Sequence, residues 1–137
     1  MKYLVDTNSI SELYKKSPDS RVIQWFLSIG FSQLYLSCIT IGEIKKGILK
    51  LAKKDKIASL KLEKWLEGII VNYNERILNI DKETCEEWGE LMSIDSTHGI
   101  DTLIAAQAKQ KNMILVTRNT KHYDMFNIKI FNPFIDL

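Results

Sequence analysis

Five short apolar runs, set apart by longer stretches with helical spacing, constrain this chain more than any other feature. Tyr3-Leu4-Val5, Leu34-Tyr35-Leu36-Ser37, Ile77-Leu78-Asn79-Ile80, Met113-Ile114-Leu115-Val116 and Ile128-Lys129-Ile130-Phe131 read as strands. Their length and β-branched content fit strands better than buried helices. The fourth is apolar without alternation, as a strand covered on both faces must be. Between them the apolar period changes. Ile10, Leu13 and Tyr14 mark a first helix after Asp6-Thr7-Asn8-Ser9. Pro18-Asp19-Ser20 opens a second helix, which Gly30 closes. Thr40 to about Tyr73 reads as two helices broken near Lys53-Lys54-Asp55-Lys56. Asp81 to Ile94 and Asp101 to Lys111 supply two more. Strands alternating with helices of this length define an α/β fold, a mostly parallel central sheet flanked by helices.

The composition agrees with one globular domain spanning residues 1–137. With 45% apolar residues and a net charge of only +2, the chain has no reason to stay disordered. Cys38 and Cys85, its two cysteines, are too few for a disulfide scaffold and read as reduced thiols of a cytoplasmic protein. The amino terminus reaches Asp6 too soon for a secretory signal. No run approaches the roughly 18 to 20 apolar residues of a membrane span. Gly-rich dinucleotide and P-loop signatures are missing as well.

Ligands of open parallel sheets bind beyond the carboxyl ends of the strands. Asp6 follows the first strand, Glu43 comes shortly after the second, and Thr117-Arg118-Asn119-Thr120 follows the fourth. Asp101 opens the helix that leads into the fourth strand. If these residues converge, three carboxylates repel one another until a cation neutralises them. Oxygen donors favour Mg²⁺ or Mn²⁺ over zinc, and such an ion suits phosphodiester hydrolysis. Plainer readings exist for each residue. Asp6 and Asp101 stand where helix-capping or first-turn acids belong. Thr40 and Glu43 have the spacing of a capping box, and on spacing alone that reading leads. Asn119 suits a turn.

Charge is unevenly spread. Thr40 to Glu67 holds eight Lys against four acids, and Asp81 to Asp95 holds six acids against one Lys. Solvated helix faces account for this, and so do basic flanks that guide a polyanion to an acidic centre. Arg118 is the cation nearest the strand ends and is expected to contact a phosphate, with Thr7 and Asn8 as further substrate contacts. His98 and His122 read as isolated surface or turn residues. Trp25, Trp65 and Trp88 read as packing residues of amphipathic helices.

Four stretches taken in order resemble the PIN domains, specifically the VapC-type toxin ribonucleases of toxin–antitoxin pairs. They are Leu4-Val5-Asp6-Thr7-Asn8-Ser9-Ile10-Ser11-Glu12-Leu13, Leu36-Ser37-Cys38-Ile39-Thr40-Ile41-Gly42-Glu43-Ile44, Ile100-Asp101-Thr102-Leu103-Ile104-Ala105-Ala106 and Leu115-Val116-Thr117-Arg118-Asn119-Thr120. The resemblance implies a three-layer fold and a metal-binding set of Asp6, Glu43 and Asp101, with Asn119 at the position that completes it. It also implies Mg²⁺- or Mn²⁺-dependent cleavage of RNA, tRNA being a frequent target among relatives. A second copy of the chain and a small antitoxin are the implied protein partners, the antitoxin grasping the paired helices from Thr40 to Tyr73.

One position departs from the pattern. Many relatives carry Asp where this chain has His122, so the fourth acid is missing or displaced to Asp124. That leaves three carboxylates and argues for one firmly held ion. The departure also sustains a rival reading, a non-catalytic module of the same fold that binds RNA or protein. A phosphoaspartate enzyme built on Asp6 is a third reading, disfavoured by Asn8.

Overall fold

The structure, a computed structural model, describes residues 1–135. Its elements run β1 (Tyr3–Val5), α1 (Thr7–Glu12), α2 (Ser20–Ser28), β2 (Leu34–Ser37), α3 (Cys38–Ala52) and α4 (Lys56–Tyr73). They continue as β3 (Ile77–Leu78), α5 (Lys82–Ile94), α6 (Gly99–Gln110), β4 (Ile114–Val116) and β5 (Ile130–Phe131). The strands form one sheet in the order β3-β2-β1-β4-β5, and every neighbouring pair is parallel. The expected mostly parallel sheet is therefore wholly parallel.

Adjacent strand residues point to opposite faces, and the packing follows that rule. Leu4, Leu115, Tyr35 and Ile130 pack with Ile104, Ala105, Ala108 and Leu91, which covers one face with α5 and α6. Val5, Val116, Leu36 and Phe131 pack with Ile10, Trp25, Ile44 and Leu66, which covers the other with α1 to α4. Three layers result. Ala105, Ala106 and Ala108 are completely buried, so α6 approaches the sheet closely. This explains why its sequence is alanine-rich where the other helices carry larger side chains.

Helix starts follow local chemistry. Asp19, Asp55 and Asp81 each accept a backbone N–H at the head of a helix, from Arg21, Ala58 and Thr84. The end of α2 differs from the sequence expectation. Ser28 is its last residue, and Gly30, at φ −62°, begins a 3-10 turn instead of capping the helix in the left-handed region. Asn112, at φ 53°, takes the left-handed turn after α6 and redirects the chain into β4. Strands β3 and β5 are two residues each, shorter than the apolar runs that announce them.

The chain leaves β1 toward β2 and β3, then returns to the other side of β1 as β4. Strand order therefore reverses between β1 and β4, the place where such sheets open a crevice at their carboxyl ends.

Candidate active site

Asp6 follows β1 at that crevice and is buried. Its Oδ1 accepts the Thr7 N–H at 2.8 Å and caps α1. Its Oδ2 accepts the Thr117 hydroxyl at 2.8 Å and the Asn8 amide at 3.3 Å. Capping and site membership, two competing readings of the sequence, are thus divided between two oxygens of one carboxylate.

Glu43 corrects the capping-box expectation. Helix α3 begins directly after β2, so Ser37 is its cap and accepts the Ile39 N–H at 3.0 Å. Thr40 lies inside the helix, and Glu43 is one turn along it. Glu43 Oε1 accepts the Thr7 hydroxyl at 2.6 Å, and that hydroxyl is also hydrogen-bonded to Thr40 at 2.9 Å. The contact ties α3 to the head of α1 and turns Glu43 toward Asp6.

Asp101 lies in the first turn of α6. Trp88 steadies this turn by donating its indole N–H to the Gly99 carbonyl at 3.1 Å. Asp6, Thr7, Asn8, Ser11, Glu43, Asp101 and Asn119 line one pocket of about 270 Å³. Six of the seven sequence-proposed site residues are brought together. Arg118 is the exception: its backbone N–H donates to Asn8 Oδ1 at 3.1 Å, but its guanidinium lies 4.0 Å over the Phe134 ring. Asp124 is exposed and does not line the pocket, so no displaced fourth acid stands there.

Burial, more than repulsion between the acids, sets the electrostatics of the pocket. Burial pushes the Asp6 carboxyl up to about 6, against the lowering effect of the Thr117 and Thr7 hydrogen bonds. The negative charges of Asp101 and Glu43 raise it further. No Lys or Arg is among the described residues lining the pocket. Three carboxylates, an amide and hydroxyls form a hard oxygen donor set that fits Mg²⁺ or Mn²⁺.

Two supporting residues escaped the sequence reading. Thr117 is fully buried, donates to Asp6, and accepts the Asn119 N–H at 3.1 Å and the Asn8 amide at 3.2 Å. It ends β4 as Asp6 ends β1, so the strand-end rule was signal enough. Tyr123 is also fully buried, and its hydroxyl has no hydrogen-bond partner of good geometry among the described residues. Burial, then the charges of Asp6, Asp101 and Glu43, push its phenol well above the ordinary range. The histidines are not isolated. His122 Nδ1 lies 2.7 Å from Asp101 Oδ2, and the His122 and His98 rings stack at 3.7 Å with 11° between their planes. Residues 98 and 122 are far apart in sequence, which hides the pairing from a spacing argument.

A switch-point pocket lined by strand-end and helix-start carboxylates, on this strand order, defines a PIN-type fold and site. Residues 3–126 match the PIN domain family, and the chain belongs to it. It is 34% identical over 140 residues to "Toxin FitB" of Neisseria gonorrhoeae, spanning 97% of this chain and 99% of that protein. It is 31% identical over 137 residues to "VapC ribonuclease Y4jK" of Sinorhizobium fredii, spanning 95% of this chain and 96% of the relative. The crystal structure of FitAcB from Neisseria gonorrhoeae superposes with a TM-score of 0.90 at 31% identity, over 98% of this chain and 99% of that one.

Proposed function

We propose that this chain is a metal-dependent endoribonuclease, the toxin of a toxin–antitoxin pair, working as a single PIN domain in the cytoplasm. The observation that carries the reading is the carboxylate pocket, in which a buried acid is pushed toward neutrality beside two others. The names of its relatives, a toxin and a VapC ribonuclease, support it.

Asp6, Glu43 and Asp101 would hold Mg²⁺ or Mn²⁺, with Asn119 completing the polar wall. When bound, the cation supplies Lewis-acid stabilisation of the charge that develops on a phosphodiester, and activation of water. The protein's own groups set the geometry. Thr117 and the Thr7 N–H fix the two Asp6 oxygens, and the Thr7 hydroxyl fixes Glu43. None of these carboxylates then reorganises as charge develops. Asn8 and Thr7 face the same pocket and contact the RNA backbone. Arg118 swings from Phe134 to a phosphate on substrate binding, a short movement for an exposed side chain.

A toxin of this kind needs a cognate antitoxin. Exposed Leu49, Ile57, Leu60 and Val71 on α3 and α4 give an apolar arm for it to grasp. Homodimerisation completes the assembly. Among the described residues, no helix is long and apolar enough to cross a membrane.

Incubation of the purified chain with total tRNA and Mn²⁺, with and without EDTA, tests the reading. Discrete EDTA-sensitive fragments are expected. Absence of cleavage across RNA classes, together with no saturable Mn²⁺ binding, would move the assignment to the non-catalytic binding module.

A further inference from the structure

We propose that His98, Asp101 and His122 form a second metal site, one that takes a transition-metal ion of the Zn²⁺ or Co²⁺ class in preference to Mg²⁺. One ligand atom from each residue, two imidazole nitrogens and a carboxylate oxygen, lies within 4.8 Å of the others. All three side chains are half-buried, so they are neither fully solvated nor closed to an entering ion.

The donor set selects the metal. Imidazole suits Zn²⁺, Co²⁺ and Ni²⁺, whereas Mg²⁺ keeps to oxygen ligands and water. Two nitrogens and one oxygen match the three-ligand zinc pattern, which leaves a fourth position open. Around a tetrahedral ion with bonds of roughly 2.0–2.1 Å, neighbouring ligand atoms stand roughly 3.3 Å apart. His122 Nδ1 and Asp101 Oδ2 are already at 2.7 Å, so a shift of a fraction of an ångström admits the ion. The stacked His98 ring needs only to turn about its side-chain bonds.

The surroundings hold these ligands in place. His98 and Asp101 are three residues apart at the head of α6, so they share one face of its first turn. Trp88 binds the carbonyl of Gly99 between them. His122 lies in the 3-10 turn Thr120–Tyr123, whose last residue, Tyr123, is anchored in the core. The His98 ring makes no side-chain hydrogen bond among the described residues and is not committed elsewhere. Asp101 belongs to both clusters, so an ion here borders the carboxylate pocket. The site nevertheless rests on its own geometry and not on the nuclease reading.

His98 and His122 are the only two histidines in the chain, which makes a direct test available. Imidazole proton NMR of the tag-free full chain, titrated with Zn²⁺ in excess Mg²⁺, should shift both histidine signals and saturate at one equivalent. Mg²⁺ alone, held through Asp101, should disturb His122 by way of their shared contact but should not draw in the His98 signal. His98→Phe and His122→Phe keep an aromatic ring in place, and each should weaken Zn²⁺ binding by roughly tenfold or more, judged by calorimetry on protein with wild-type circular dichroism. Glu43→Gln disables the carboxylate pocket but should leave the Zn²⁺ response of both histidines intact. If neither histidine signal responds to Zn²⁺, or if both Phe variants bind Zn²⁺ as tightly as wild type, the proposal is wrong. Zn²⁺ binding at the histidines in a chain that cuts no RNA would uphold this site and overturn the nuclease reading alone.

Discussion

Asp6 and Thr117, 111 residues apart, meet at 2.8 Å across the carboxyl ends of β1 and β4. The hydroxyl gives the buried carboxylate a donor, and in return accepts from Asn119 and Asn8. This one contact joins the two central strands to the polar wall of the pocket. Thr117→Val keeps the shape and removes the hydroxyl. It should cost about 1–2 kcal/mol of stability, the cost of an unpaired buried acceptor, and should lower RNA cleavage at neutral pH. Chemical denaturation and initial cleavage rates check both.

Asp6 sets stability against function. Its carboxyl sits at about 6 in the folded chain against 3.8 for the free group. Below about pH 4 it is protonated in both folded and unfolded states and carries no penalty. From about pH 4 up to 6 the unfolded chain ionises while the folded carboxyl keeps its proton, so wild type loses up to about 3 kcal/mol relative to a neutral isostere, and the loss stays level above pH 6. Asp6→Asn should therefore melt at higher temperature than wild type in metal-free buffer at pH 8, with the gap closing toward pH 4. Added Mn²⁺ should narrow the gap at pH 8, because it stabilises wild type alone. Thermal melts at the two pH values check this.

Much of this arrangement could be read from the sequence, and the parts that could not share a cause. Strand runs of three or four apolar residues, the two-helix stretch up to Tyr73 and the acids at strand ends all act through neighbours close in sequence. The α/β class and the helix starts at Asp19, Asp55 and Asp81 follow from local rules, whereas the carboxylate set rests on the strand-end rule together with the resemblance to PIN domains. The Thr40–Glu43 capping box failed because α3 starts at the very end of β2, giving the cap to Ser37 and freeing Glu43 for Thr7. Which acid neutralises which partner is a tertiary fact. The same holds for the stacking of His98 on His122, and for Arg118 lying on Phe134 instead of in the pocket.

Tyr123 offers a clean contrast. Its ring fills the core beneath the site, while its hydroxyl lacks a well-placed partner and faces negative charge. Tyr123→Phe should cost about 1 kcal/mol or less, since the hydroxyl's polar neighbour is the Asp6 carboxylate and the two lack good hydrogen-bond geometry. Tyr123→Ala should cost about 3–5 kcal/mol through the cavity it opens. Urea midpoints of the two variants separate the roles of ring and hydroxyl.

Arg76 braces the far edge of the sheet. Its guanidinium donates to the carbonyls of Phe31, Leu34 and Asn72 and lies 4.3 Å over the Phe31 ring. Arg76→Lys keeps the charge but loses the fork, and should cost about 1–3 kcal/mol. Cleavage by the folded fraction should be untouched, because none of these partners borders the carboxylate pocket.

The most direct test of the central claim is single-turnover RNA cleavage in Mn²⁺ by wild type, Asp6→Asn, Glu43→Gln and Asp101→Asn, each confirmed folded. The carboxylate pocket predicts cleavage by wild type and a loss of roughly 100-fold or more in every variant, on the scale of removing a preorganised catalytic group. Cleavage that survives in all three variants would contradict it.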